Sequence, residues 1–207
     1  MVIKYSVLIF SVVLWCIISA ELTPDFHDFI SKNYGNGVAV SLERLDMGSG
    51  TMGSFGGKKT QNEKIRNKPI IFIHGVTLRA GIFVPHVEYF ISKGYTRAEL
   101  YSTTYGDGGR TPMFNKDMEC ADVKQVRNFI KAVYEYTNSQ VVVMGYSMGV
   151  AITRKAILGV GKPLTNLVET YIAVAGVAYG LEKCTPNFYA CNVNNGMYCG
   201  SDYMVVR

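Results

Sequence analysis

The first patterned stretch of the chain is an apolar run, Val7 to Ile18, behind Lys4 and ahead of Ser19-Ala20. A basic start, an apolar segment and small residues before Glu21 predict a secretory signal peptide over 1–20, cleaved after Ala20. The alternative, an uncleaved anchor, needs roughly 18–20 apolar residues to cross a bilayer. Beyond it the spacing becomes helical. Thr23-Pro24-Asp25 offers a cap and an early proline, and Phe26, Phe29 and Ile30 share one face. Residues 38–45 fit either a strand or a helix. Residues 48–57 carry five glycines in ten and, with polar 58–68, predict a loop or short hairpin.

From Pro69 strands and helices alternate. Ile70 to Ile73 is a continuous apolar run, the mark of a strand buried on both faces. Residues 83–94 place Val84, Val87 and Ile91 on one helical face, with Gly94 at the end. Residues 100–105 are β-branched and aromatic, and so predict a strand. A loop, GDGGRTP, precedes an amphipathic helix over 117–136, with Ala121, Val123, Val126, Phe129, Ile130 and Val133 inward. Residues 141–144 predict a strand, 148–158 a helix stopped by Gly159, and 169–176 another strand. This is an α/β pattern: a mostly parallel sheet with right-handed crossovers and helices on both faces. One domain over 21–207 fits the length. The last strand, apolar along most of its length, is expected at an unpaired edge, a sheet incomplete towards the C-terminus.

Composition changes this picture little. The formal charge is +5, and +4 once Lys4 leaves with the signal. The densest basic region, Lys58, Lys59, Lys64, Arg66 and Lys68, has no interleaved aromatics. It reads as a solvated loop and argues against a nucleic-acid partner. There is no Asn-x-Ser/Thr sequon.

The cysteines change it more. Without Cys16, four remain: Cys120, Cys184, Cys191 and Cys199. An even number in a secreted chain predicts two disulfides, with three connectivities open. The spacings match no zinc pattern, so no metal is expected. All four lie on the side of the sheet where parallel strands end and crossover helices begin. One long-range bridge from Cys120 and one local bridge are therefore expected.

The candidate chemistry lies between the strand at 141–144 and the helix at 148–158, in Gly145-Tyr146-Ser147-Met148-Gly149. Gly-x-Ser-x-Gly by itself arises by chance in roughly one chain in fifteen of this length. Its place between strand and helix is what gives it meaning. A tight turn there lifts the serine Oγ clear of the sheet, flanking glycines avoid clashes, and the helix N-terminus favours developing negative charge. His74-Gly75-Val76 follows the first strong strand. In this architecture that loop supplies one oxyanion N–H, and the residue after the serine supplies the other.

The chain resembles the class 2 lipases, small α/β-hydrolases that include bacterial and nematode secreted lipases, and is most similar to the nematode set. The stretches TPDFHDFISKNYG, PIIFIHGVT, FISKGYTRAELYSTTYGDG, VVVMGYSMGVAITRKAILG and VAGVAYGLEKC carry the likeness across residues 22 to 200. The resemblance implies hydrolysis of lipid esters by a Ser-Asp-His triad without metal or cofactor. It implies a lipid or ester substrate, with transient contact to a lipid surface. Ser147 matches the nucleophile, and Val76 and Met148 match the oxyanion donors. His74 matches the family's His-Gly, which is not its catalytic base.

The triad order is Ser, then Asp or Glu, then His. After Ser147 come Glu169, Glu182 and Asp202, but no histidine; His27, His74 and His86 all precede it. The chain is thus expected to be shorter than its relatives. A catalytically dead lipid- or protein-binding module is the rival expectation.

Overall fold

The computed structural model describes residues 21–48, 53–159 and 161–205. The expected signal peptide over 1–20 lies outside them. Two helices open the fold. Helix α1 (Pro24–Tyr34) starts at Thr23, whose side chain accepts the Phe26 N–H, and ends at Gly35 with φ 91°. Helix α2 (Asn36–Glu43) follows, so the stretch ambiguous between strand and helix is helical, with Ala39 and Leu42 buried. Its last cap, Arg44, takes a left-handed conformation, and a 3-10 turn over Leu45–Met47 continues from it.

Five strands form one sheet: β1 (Ser54–Phe55), β2 (Ile70–Ile73), β3 (Leu100–Thr103), β4 (Val141–Tyr146) and β5 (Val168–Val174). Their order is β1-β3-β2-β4-β5, antiparallel only where the short β1 meets β3. Strand β2 sits at the centre with all four residues buried, as its unbroken apolar run requires. Helix α3 (Val84–Ser92) and the preceding 3-10 turn cover one face, with Phe83 and Val87 on Ile70, Phe72 and Leu100. Helices α1, α2, α4 (Cys120–Thr137) and α5 (Met148–Leu158) cover the other, burying Phe26, Ile30, Phe129, Ile130 and Ile152 with Ile71, Ile73, Tyr101 and Val143. At roughly 25 cal/mol per Å² of apolar surface, these two layers are the main force holding the helices to the sheet. Strand β5 has no neighbour on its outer side among the described residues, and Ile172 and Val174 are each more than a third exposed.

Two expectations need correction. Helix α4 begins at Cys120 rather than 117, and Ala121 faces solvent while Asp122 is buried. Asp122 is drawn in because its carboxylate accepts the Glu119 N–H and pairs with the equally buried Lys116 Nζ at 3.2 Å. The second correction concerns the cysteines. The local bridge forms, Cys184–Cys191, but the long-range one does not: Cys120 and Cys199 are free and exposed. Both segments do reach the same side of the sheet, as Met118 N–H donates to the Asn195 carbonyl at 3.0 Å. Asn195 makes the contact, its side chain also donating to Asp117 Oδ2 at 2.8 Å, and among the described residues neither sulfur is in a disulfide.

Candidate active site

The elbow is where the sequence pattern put it. Strand β4 ends at Tyr146, helix α5 begins at Met148, and Ser147 lies between them with φ 52° and ψ −124°. A side chain in that region costs of order 1–3 kcal/mol and persists only where surrounding contacts impose it. Here the Ser147 N–H donates to the Val174 carbonyl and its carbonyl accepts the Val150 N–H, both at 3.0 Å. The bend is thereby tied to the edge strand on one side and to the first turn of α5 on the other.

The glycines flanking the serine are required by crowding. A methyl group on Gly149 would overlap the His74 carbonyl oxygen, so α5 starts in backbone contact with the end of β2. One on Gly145 would lie 3.0 Å from the Gly149 carbonyl oxygen. The same closeness reaches the 74–76 loop: a methyl on Gly75 would stand 2.9 Å from Ser147 Cβ and 3.2 Å from the Tyr146 carbonyl oxygen. Gly75 is therefore packed directly on the serine. Val76, next in sequence, is partly exposed, and Met148 is the buried first residue of α5.

The loop is held by more than its own turn. Leu78 N–H donates to the Gly75 carbonyl at 3.3 Å. Arg79 Nε donates to the Gly108 carbonyl at 2.7 Å, and Ala80 N–H to Thr104 Oγ1 at 2.9 Å. The segment after β3 thus braces the segment after β2.

His74 is the pivot of this bracing. It is 2% exposed. Its ring lies flat on Tyr105, centroids 4.2 Å apart and planes 4° from parallel. Its Nε2 accepts the Tyr105 backbone N–H at 3.1 Å, which puts the proton on Nδ1, and Nδ1 donates to the Gly75 carbonyl at 2.7 Å. Burial pushes its pKa down to about 4; the Gly75 carbonyl opposes the shift and the nearby Arg44 cation adds to it. A neutral imidazole with both nitrogens engaged orients a loop, and it has no lone pair left for a serine proton. Nothing in the local sequence marks Tyr105 or Arg44 for this environment; each comes from about thirty residues away.

The other candidates lie elsewhere. His27, on α1, pairs with Glu43 at 2.9 Å. His86, on α3, packs beside Phe83 and Phe72 on the opposite face of the sheet from α5. Glu169 stands at the start of β5, the far end from Ser147, paired with Lys68 at 2.5 Å. Glu182 and Asp202 are exposed, and the Asp202 N–H donates to the Val193 carbonyl at 2.8 Å. Among the described residues no group of three His, Cys, Asp or Glu side chains is arranged to hold a metal ion.

Comparison with known proteins adds three findings. The family model for Lipase (class 2) matches residues 67–205. No curated protein matches the chain. Solved structures with a similar fold include lipase B of Aspergillus fumigatus, with 14% identity over 82% of this chain and 37% of that one, at a TM-score of 0.51. The mature form of Bacillus licheniformis lipase BlEst2 is 18% identical over 61% of this chain and 48% of that one, at a TM-score of 0.48. The chain thus spans less than half the length of either structure.

Proposed function

We propose, from the premise that the chain belongs to the class 2 lipase family, that Ser147 is the nucleophile of a carboxylic ester hydrolase acting by acyl transfer. The observation that carries this reading is the strained serine at φ 52° between β4 and α5, with Gly75 packed on its Cβ. In the proposed reaction Ser147 Oγ attacks the ester carbonyl as a general base takes its proton, the N–H groups of Val76 and Met148 hold the oxyanion, and the alkoxide takes up that proton and leaves as the alcohol. Water then attacks the acyl-serine and frees the acid. The donors need no metal, because two fixed N–H dipoles and the α5 N-terminus favour the developing charge. His74 serves as the support of the oxyanion loop, and the proton acceptor is assigned to none of the three histidines.

The substrate is proposed to be a lipid ester, met at a lipid surface. Secretion is proposed as well: the Cys184–Cys191 bridge suits an oxidising compartment.

A second reading is favoured by one observation. His74 has both nitrogens engaged, His27 pairs with Glu43 and His86 lies on the other face of the sheet, so the described residues fit a lipid-binding module without turnover. A positioned base contributes typically 10²–10⁴-fold. The readings separate in one experiment with a fluorophosphonate probe and a chromogenic ester. Stoichiometric labelling of Ser147, with ester turnover abolished in Ser147→Ala, supports the hydrolase. Lipid binding that survives Ser147→Ala, with no labelling and no turnover in the parent, supports the binding module.

A further inference from the structure

Arg44 lies outside the segment matched by the family model, yet it is 9% exposed and held in a left-handed conformation, φ 59° and ψ 44°. A bulky side chain tolerates that backbone only where contacts impose it. Its guanidinium supplies them. Nε and Nη2 grip both Asp46 carboxylate oxygens, at 2.7 and 2.9 Å. Nη1 donates to the Gly106 carbonyl at 2.7 Å and to the Thr104 carbonyl. These two carbonyls bracket Tyr105, the residue whose N–H meets His74 Nε2 and whose ring lies on the imidazole. Asp46 is fixed in turn, since Arg110 Nη2 donates to its backbone carbonyl at 2.9 Å.

We infer that Arg44 is a positioning residue for the oxyanion loop: its fork on the 104 and 106 carbonyls sets Tyr105, Tyr105 sets the His74 tautomer, and His74 Nδ1–H holds the carbonyl of Gly75, the residue packed on Ser147 Cβ. A planar fork suits the task because it reaches two carbonyls and a carboxylate at once in a fixed geometry. Lysine offers one charge centre and cannot span them. The chain of contacts is continuous and each link has hydrogen-bond or stacking geometry. Its consequence for rate rests on the reading of Ser147 as nucleophile, while its consequence for His74 does not.

The test uses the full chain with Arg44→Gly, which removes the fork while suiting the left-handed backbone, and Asp46→Asn, which loosens the anchor. The measurements are the limiting rate constant and apparent KI for phosphonylation of Ser147, and the ¹⁵N resonances of His74 at neutral pH. In Arg44→Gly protein that melts cooperatively, the limiting rate falls about ten- to a hundred-fold, the range for displaced positioning, and KI changes less than about threefold. The His74 proton is no longer confined to Nδ1. Asp46→Asn shifts both readouts the same way and less. Arg44→Lys does not restore them. An unchanged rate and unchanged His74 resonances in folded Arg44→Gly overturn the inference, as does full rescue by lysine. Should Ser147 of the parent not react at all, the nucleophile reading falls, and the His74 resonances still decide the role of Arg44.

Discussion

Acidification is the perturbation that bears most directly on the buried imidazole. His74 has a pKa of about 4 in the folded chain against an ordinary 6.5. The unfolded state therefore binds the proton more readily between these values, and stability falls as pH drops through that window. Above about 6.5 neither state is protonated and there is no penalty; below about 4 the penalty is complete. Moving the titration from 6.5 to about 4, at 1.36 kcal/mol per pH unit, makes this about 3 kcal/mol, and the imidazole is shielded from solvent throughout. Other groups move with pH too. The Asp46 carboxyl is held low by its bonds to Arg44, so it loses stability only in the more acidic range. Burial raises Asp122, partly offset by Lys116, and this works in the opposite direction. Comparison with His74→Gln cancels both. The assay is urea unfolding at intervals from pH 7 to pH 4. The parent should lose about 3 kcal/mol more than the variant across this range, almost all of it between pH 6.5 and 4. Parallel curves, or an imidazole that titrates near 6.5 by NMR, refute the account of a neutral, doubly bonded His74.

Four further outcomes follow from the same geometry. Gly149→Ala drives a methyl into the His74 carbonyl oxygen; overpacking of this kind costs about 1–3 kcal/mol, read by chemical denaturation, and Ser147 labelling should be lost with it. Ser147→Gly relieves the φ 52° backbone and should raise stability by about 1 kcal/mol, seen as a higher thermal midpoint, while abolishing labelling. Tyr105→Phe deletes a buried hydroxyl that has no hydrogen-bond partner among the described residues and keeps the ring and backbone N–H, so stability and labelling rate should hold within about 0.5 kcal/mol and twofold. Loss of the Cys184–Cys191 bridge, which closes a loop of sequence separation 7, should cost about 2 kcal/mol by loop entropy, while alkylation of the native protein should modify Cys120 and Cys199 and spare Cys184 and Cys191.

What the sequence made legible is local or periodic. The run at 70–73 announces a central strand because burial on both faces admits no polar residue, and the elbow at 147 announces itself because a tight strand-to-helix turn needs glycine on each side. Residues 38–45 resisted assignment for the opposite reason. Val38 and Val40 alternate like strand residues, and packing of Ala39 and Leu42 into the core decides for helix. Ala121 looked inward by periodicity, but the charge pairing of Lys116 pulled Asp122 inside instead. The cysteines show how topology without distance misleads: Cys120 reaches the right side of the sheet yet forms no disulfide among the described residues. Least legible was the support behind the serine. His74 is visible as a residue type, but its tautomer depends on a backbone N–H 31 positions away, and that N–H on an arginine 61 positions before it. No local pattern encodes such links.

The central claim is that Ser147 is poised to place a developing oxyanion against the N–H groups of Val76 and Met148. The most direct measurement is a crystal structure of the protein after reaction with a fluorophosphonate. The account predicts a covalent bond from Ser147 Oγ to phosphorus and a phosphonyl oxygen about 2.7–3.1 Å from both nitrogens. A phosphonyl oxygen turned to solvent with neither N–H in reach, or no adduct at Ser147 in folded protein, contradicts it.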